Sequence, residues 1–233
     1  MKQCEYPHFY IHGNFYREDF SIEQQQFKSR TYPKGSFLPV QNEDSENCCY
    51  YIRSGILELN FTDSGSNTKI AAFFGPHSIA PLLFDSCSTL IDSECNLKAF
   101  TDLEVVPILA SEIRQYCLVS NPFAVHLLEE SSCLIRSLLF QQMDLSYASS
   151  FTRICDILLL LFWDFNPEDQ IIPVSQADLA DIAGCSRAQV ERTVQQLRKE
   201  EIIQSGRKQI LIRDRQKLET YCSDYLKSKT GYW

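Results

Sequence analysis

The sequence predicts an α+β protein in which a β-barrel is followed by a long helix and a small helical domain with a β-hairpin. Three observations lead to this prediction. Short β-prone runs fill residues 26–109, apolar residues at helical spacing run from Pro122 to about Ser146, and two capped helical patterns precede an alternating segment that ends at Ile212. The 233 residues, 44% of them hydrophobic, can form two modest domains with buried cores.

The first half of the chain predicts a β-sandwich or barrel. Turn residues at 33–35, 54–55 and 64–65 divide the β-prone runs, and many short strands with such breaks are typical of these architectures. Residues 1–25 are aromatic and polar without clean periodicity, and no element is predicted there. The predicted strands are 26–32, 36–40, 48–53, 56–61, 69–74, 96–101 and 103–109.

A long helix follows, and Pro122 suits its first turn because a helix needs no N–H at that position. Its apolar stripe is too wide for one buried side, so one side is predicted to cover the barrel and the other to pack on a twin helix of a second chain. The alternative is a core helix in a monomer. The predicted dimer-helix residues are Leu127, Leu134, Leu138 and Leu145, with Leu128, Ile135 and Leu139 beside them.

Small polar residues from Ser146 to Ser150 interrupt this pattern and predict a hinge. An apolar helix is expected from Phe151 to Asp164. The tail, from Asp214 to about Lys227, also has helical spacing, and we expect it to cap the hairpin or the barrel.

The stretch from Ile172 to Ile212 predicts a helix-turn-helix. Ser175 and Asp178 are spaced to cap a first helix, which Gly184 can end because glycine adopts the left-handed conformation freely. Ser186 and Gln189 repeat the cap spacing at the start of a second helix. The inward stripe of the second helix is Val190, Val194 and Leu197.

The second helix presents a basic, polar face, and the alternating residues after it predict a β-hairpin wing. The N-terminal part of such a helix reaches base edges in the major groove of DNA, where an arginine fork pairs with guanine. Solvated charges on a small helical domain are the alternative. The predicted DNA-binding residues are Arg187, Ala188, Gln189, Arg192 and Gln195 on the helix, Ser175, Gln176 and Ser186 for phosphates, and Arg207 and Lys208 at the wing tip.

The formal net charge of −8 is unfavourable for binding DNA, but its distribution is not uniform. From Val174 to Arg213 seven basic and five acidic residues give +2. The excess of acids therefore lies outside the predicted DNA-binding region.

This stretch resembles the Crp/Fnr family of bacterial transcription regulators, through Gln176, Leu179, Ala180, Gly184, Cys185, Ser186, Arg187, Val190, Arg192 and Leu197. The run Tyr50 to Leu59 is similar to the strand, glycine turn and strand of the family's cyclic-nucleotide-binding-type barrel. The resemblance implies a double-stranded β-helix or jelly-roll sensor barrel with an N-terminal extension at 1–110, a helical segment with the dimerisation helix and hinge at 111–148, and a winged helix-turn-helix at 149–233.

The resemblance also implies function. A homodimer would bind palindromic double-stranded DNA, contact RNA polymerase and respond to an effector in the barrel. Arg187 and Arg192 would contact bases and the adjacent backbone, with Arg192 reading the central G of a TTG- or TGA-like half-site. The glutamate that the family often has after the first arginine is Ala188 here, so altered preference at that base pair is expected.

The cyclic-nucleotide signature is missing. Ile79 and Ala80 occupy the family's Gly-Glu positions, Ser93 and Glu94 its Arg-Ser positions, and leucines replace the hydroxyl residues of the dimer helix. A phosphate needs a cation or converging donors, so we expect no cyclic nucleotide and favour an apolar or aromatic small molecule. Residues that simply fill the barrel are the alternative. The predicted pocket is Ile79, Leu82, Leu83, Phe84, Leu97, Lys98, Leu138 and Leu139, with Lys98 as a potential anion partner.

Other sensing chemistries find less support. Few basic residues lie near the cysteines to activate a thiol, so buried, inert thiols are expected. Cys4 stands alone at the N-terminus, which excludes a clustered iron–sulfur site, and His77 or Cys87 alone is weak support for haem. No cofactor or metal is expected. The candidates for thiol redox sensing are Cys4, Cys48, Cys49, Cys87, Cys95 and Cys117.

An enzyme, or a ligand-binding protein without DNA activity, is the rival class. The sequence has no nucleophile–base constellation, no phosphate-binding glycine loop and no histidine pair at metal spacing. The N-terminus lacks the apolar core of a signal peptide, and the ten cysteines form no paired C-x-x-C units, so we expect reduced thiols in the cytoplasm.

Overall fold

The computed structural model describes residues 9–11, 13, 28–44, 46–63, 65, 67–82, 95–165 and 171–230. The predictions for Leu83, Phe84, Cys4, Cys87, Ser93 and Glu94 lie outside these residues. The chain divides into two compact units, which are residues 10–135 and a second unit of Phe9 with residues 136–230. Each unit has its own core.

The first unit contains two β-sheets. A five-stranded sheet has the order β1-β6-β5-β8-β3, a four-stranded sheet has the order β2-β9-β4-β7, and every pairing is antiparallel except that of β1 with β6. The prediction missed β1 and β7, because strands of two residues are too short to show alternation. The strands are β1 (Tyr10–Ile11), β2 (Arg30–Tyr32), β3 (Phe37–Leu38), β4 (Cys48–Ser54), β5 (Leu57–Thr62), β6 (Thr68–Phe74), β7 (Ile79–Ala80), β8 (Cys95–Ala99) and β9 (Leu103–Leu109).

Apolar side chains of both sheets form a buried cluster that includes Tyr50, Leu57, Phe74, Leu97 and Val105. Alternate residues of β4 and β9 point to the opposite face, where they meet two helices, α1 (Ala110–Val119) and the first part of α2 (Asn121–Tyr147). Because both faces of β4 are covered, its first five residues are all buried. The α+β class and the barrel-like arrangement of sheets are therefore confirmed.

A tight turn joins β4 to β5 at Gly55, whose φ of +87° is in the left-handed region. A Cβ at this position would lie 2.2 Å from the carbonyl oxygen of Asp102. Only glycine fits, because both the conformation and the close backbone approach exclude a side chain.

The second unit is built on α3 (Ser150–Phe165), whose residues Ile154 to Leu161 are all buried. Ser149 caps this helix through the Thr152 N–H, so only Ala148 and Ser149 separate α2 from α3. Around α3 lie β10 (Ile171–Ile172), α4 (Gln176–Ala183), α5 (Arg187–Lys199), β11 (Ile203–Ser205), β12 (Ile210–Ile212), α6 (Arg215–Tyr221) and α7 (Asp224–Thr230).

The predicted hairpin is present as β11 and β12, and β10 adds a third strand in the order β10-β12-β11. The prediction for the tail was partly wrong. Two helices replace one, since Cys222 is extended and the N–H of Ser223 donates to the carboxylate of Asp156 instead of continuing α6. Within this unit α6 packs against α3, and Leu218 and Cys222 are buried.

Candidate nucleic-acid interface

Local hydrogen bonds fix the start of α4. The Ser175 hydroxyl accepts from the N–H of Asp178 at 3.1 Å, and the Asp178 carboxylate accepts from the N–H of Ser175 at 2.8 Å. This capping box satisfies two backbone donors at a helix start. Gly184 ends α4 with φ +57°, and its N–H donates to the carbonyl of Ala180.

We expect replacement of Ser175 by alanine to lower the free energy of unfolding by about 1 kcal/mol, because the cap acceptor is lost. Ser175→Asn retains an acceptor at this position and is the matched control. Denaturant titrations of both variants measure the effect. Equal stabilities for wild type and Ser175→Ala would contradict the assigned cap.

Three residues separate α5 from the end of α4, and α5 presents the predicted reading face to solvent. Arg187, Ala188, Arg192 and Gln195 are exposed, whereas Val190, Val194 and Leu197 on the opposite side are buried. Among the described residues, Arg192 Nε donates to the carbonyl of Ala188, one turn earlier on the same helix. Two arginine side chains are therefore available at the N-terminal half of α5.

Ser186 and Gln189, which are also predicted DNA contacts, form hydrogen bonds with each other. Gln189 Oε1 accepts from the N–H of Ser186 at 2.9 Å and from its hydroxyl at 3.0 Å, while the Gln189 N–H donates to that hydroxyl. These bonds cap the start of α5. A DNA contact by either side chain would have to replace bonds of the cap, so Gln189 is a weaker reading residue than Arg187.

The wing tip lies between β11 and β12, and Arg207 and Lys208 are both exposed there. The Arg213 guanidinium donates to the Gln204 side chain at 2.6 Å, across the base of the hairpin. Ser175 and Gln176, the other predicted phosphate contacts, are half-buried at the start of α4. The described part of the second unit thus presents basic side chains on both the helix and the wing.

The other end of α5 is held by a group of residues that was not predicted from the sequence. Tyr221 donates its hydroxyl hydrogen to Glu200 at 2.6 Å, and Lys217 Nζ donates to the Glu200 carbonyl at 3.1 Å. The Tyr221 hydrogen bond lowers the pKa of Glu200, which therefore stays ionised. These side chains of α6 hold the last turn of α5. The four-residue spacing from Lys217 to Tyr221 was the only sequence signal.

The dimer prediction for α2 needs a correction. Leu127 and Leu134 are only 7% and 8% exposed, and each packs in a core cluster of its own chain. Leu138 and Leu145 are exposed, as predicted, but the most exposed leucines and isoleucine of α2 are Leu128, Ile135 and Leu139, at 67%, 57% and 61%. We name these three residues the outer face of α2.

The described residues of the predicted effector pocket differ in their burial. Ile79 and Leu97 are fully buried but belong to different clusters, with Leu82 half-buried beside both. Leu138 and Leu139 are exposed. Lys98 is opposite the buried Glu58 on the neighbouring strand, with Nζ 4.0 Å from the carboxylate, so this amine already has an anionic partner.

Three of the described candidate cysteines lie where the thiolate form is disfavoured. Cys48, Cys49 and Cys95 are buried, and burial raises the pKa of Cys48 and Cys117 and raises that of Cys49 to about 12. At pH 8 about one Cys49 thiol in ten thousand would be ionised, and the thiolate is the reactive form.

Iodoacetamide at pH 8 is therefore expected to leave Cys48 and Cys49 unmodified over a period that labels every cysteine of the unfolded chain. Peptide mass spectrometry measures the labelling at each residue. Rapid modification of either thiol in the native protein would contradict its assignment as inert.

Two further observations concern the described residues as a whole. None of their helices combines the length and apolar character needed to cross a membrane. They also contain no cluster of three or more histidine, cysteine or acidic side chains suited to a metal ion.

Comparisons with known proteins agree with this geometry. Residues 152–221 match the family model of the Crp-like helix-turn-helix domain. No curated protein sequence matches the chain.

Solved structures match over most of the chain. FixK2 from Bradyrhizobium japonicum is 20% identical, covers 84% of this chain and 97% of its own, and has a TM-score of 0.69. TTHA1359, a transcriptional regulator of the Crp/Fnr family from Thermus thermophilus, is 18% identical, with coverages of 83% and 97% and a TM-score of 0.62. CprK complexed with OCPA is 15% identical, with coverages of 88% and 96% and a TM-score of 0.64. The chain has the fold of these proteins.

Proposed function

We propose that this chain is a homodimer that binds palindromic DNA and responds to an effector. The proposal starts from the premise that residues 152–221 are a Crp-like helix-turn-helix domain of a Crp/Fnr-type transcription regulator. The observation that carries the proposal is the exposed face of α5. Arg187, Ala188 and Arg192 are presented there on a helix capped at its start and held at its end.

The chemistry of this face suits base reading. The fork of an arginine guanidinium pairs with O6 and N7 of guanine, and the small side chain of Ala188 leaves room for α5 to approach the major groove. Ala188 offers no acceptor to cytosine, so we expect weak discrimination at the adjacent base pair. Arg207 and Lys208 on the wing contribute affinity through phosphates without reading sequence.

The outer face of α2 supports the proposal of a homodimer. Leu128, Ile135 and Leu139 are apolar, exposed and spaced seven and four residues apart, so they share one side of the helix. An exposed apolar stripe of this kind is typical of a helix that packs on a partner. Two-fold symmetry then presents α5 twice, as a palindromic site requires.

Selection from a pool of random double-stranded DNA tests the proposed function. We expect enrichment of a motif with two-fold symmetry whose half-sites are centred about one helical turn apart. Recovery of no motif, with or without extract of the native host, would favour the rival interpretation of a ligand-binding protein without DNA activity.

An apolar or aromatic effector is the second part of the proposal. The described residues Ile79, Leu82 and Leu97 are apolar, which suits an apolar ligand. Lys98 is already paired with Glu58, so it is a poor partner for a phosphate. CprK, which has the same fold, was solved as a complex with OCPA. Native mass spectrometry of protein from its own host tests this part. A bound cyclic nucleotide would contradict the proposal.

A further inference from the structure

One acidic side chain lies on the arginine-bearing face of α5. Glu191 is exposed and precedes Arg192 directly in the sequence. Because a helix turns about 100° per residue, Glu191 lies about 40° around the axis from Arg187 and about 100° from Arg192. It therefore lies within the arc between the two arginines, on the face proposed to enter the major groove.

The Glu191 carboxylate has one side-chain partner in the part of the chain that the structure describes. Gln195, one turn later on α5, donates from Nε2 to Glu191 Oε1 at 3.3 Å. Among the same residues no lysine or arginine forms an ion pair with Glu191, although Arg187 is only four residues earlier. Since a carboxylate has about four acceptor sites, most of them remain for a group outside the chain.

A negative charge on this face opposes the approach of DNA. Affinity for the phosphate backbone comes from lysine and arginine side chains, and a carboxylate beside that backbone is repelled. Glu191 therefore weakens binding to DNA of every sequence unless a base supplies a compensating contact. Partners of this kind are present in the major groove, where some bases expose hydrogen-bond donors.

The base edges of the major groove differ in what they offer to a carboxylate. Guanine presents two acceptors there, and thymine presents an acceptor and a methyl group, whereas adenine and cytosine present amino donors. Adenine also presents the acceptor N7 beside its amino group, where it would face the second carboxylate oxygen. Because a carboxylate only accepts hydrogen bonds, the N4 amino group of cytosine is its best partner.

We propose that Glu191 is a specificity-determining residue, whose carboxylate accepts a hydrogen bond from the N4 amino group of a cytosine in each half-site. The inference rests on the proposed function, because it requires α5 in the major groove. Gln195 positions the carboxylate through its bond to Oε1. Glu191 thus supplies, about one turn later on the helix, the kind of acceptor that Ala188 does not offer. Repulsion from phosphates weakens binding to sequences without this cytosine, which sharpens discrimination.

Glu191→Gln tests the proposal in the full-length protein. The amide has nearly the same shape as the carboxylate but also donates, and glutamine pairs with N6 and N7 of adenine. Motifs are selected from random double-stranded DNA, and affinities for single base-pair variants are then titrated at fixed salt. We expect the preference at one base pair of each half-site to shift from cytosine to adenine, by about tenfold in relative affinity.

Glu191→Ala is the second variant, because it removes the acceptor without adding a donor. It should lose the preference at that base pair and bind unrelated DNA more tightly, since a repelled charge is gone. The matched control is Glu201→Gln, which removes the same charge from an exposed position two residues beyond the end of α5. This control should select the same motif as the wild type.

An identical motif from the wild type, Glu191→Gln and Glu191→Ala would overturn this proposal and leave the proposed function intact. Recovery of no motif from the wild type would instead overturn the proposed function, together with the inference that rests on it. The two failures are therefore distinguishable in a single set of selections.

Discussion

Leu139→Glu is expected to make the protein monomeric and to weaken its binding to a two-half-site DNA by about 10²- to 10⁴-fold. Leu139 is 61% exposed within its own chain, so a charged side chain there does not disturb the core. In a dimer, however, two glutamates would be brought close to the two-fold axis and buried without partners, which is costly. A monomer binds one half-site at a time and loses the gain of linked binding.

Sedimentation equilibrium measures the oligomeric state of this variant, and a fluorescence titration measures its DNA affinity at fixed salt. Phe37→Glu is the matched control, because it also replaces an exposed apolar residue by glutamate but lies on β3. The control should remain dimeric with unchanged affinity. A dimeric Leu139→Glu protein would show that the outer face of α2 is not the interface.

The second large effect is expected from Arg187→Ala. Arg187 is exposed in the first turn of α5, where a guanidinium reaches base edges, and its loss should cost about 1 to 3 kcal/mol per half-site. Specificity should relax at the base pair that it reads. Folding should be unaffected, since the side chain lies outside the core.

Lys208→Ala is the control for this prediction, because Lys208 is a wing-tip cation expected to contact phosphate alone. It should weaken binding to all sequences about equally and reduce the salt dependence of the affinity by about one phosphate contact. Affinities are compared between the selected motif and variants changed at single base pairs. Equal effects of both substitutions on every sequence would show that α5 is not the reading helix.

Some of the features behind these predictions could be predicted from the sequence, whereas others depend on contacts in the folded chain. The helix-turn-helix was predictable because its signals are local. Ser175 with Asp178, and Ser186 with Gln189, are three residues apart, and the capping box needs nothing more distant. The exposed face of α5 followed in the same way from the buried stripe on its opposite side. The longer strands of the barrel were also evident, because alternation and turn residues mark them in the sequence.

The dimer face was not predictable to the same degree. Apolar residues cover most of the circumference of α2, and helical spacing alone cannot distinguish the side that packs on its own chain from the side left open. The side of α2 that packs on its own chain is the one that carries Leu127 and Leu134. Both are buried by contact with residues far away in the sequence. The short strands β1, β7 and β10 escaped prediction because each exists only by pairing with a distant strand.

The sequence by itself thus determined the order of the elements, the caps of the two short helices and the arginine-bearing face, because each depends on residues within a few positions of one another. Only the tertiary structure decided which leucines of α2 remain exposed and how the tail holds α5. Burial and contacts of this kind depend on which side chains from separate elements come together. Spacing along the chain does not contain that information.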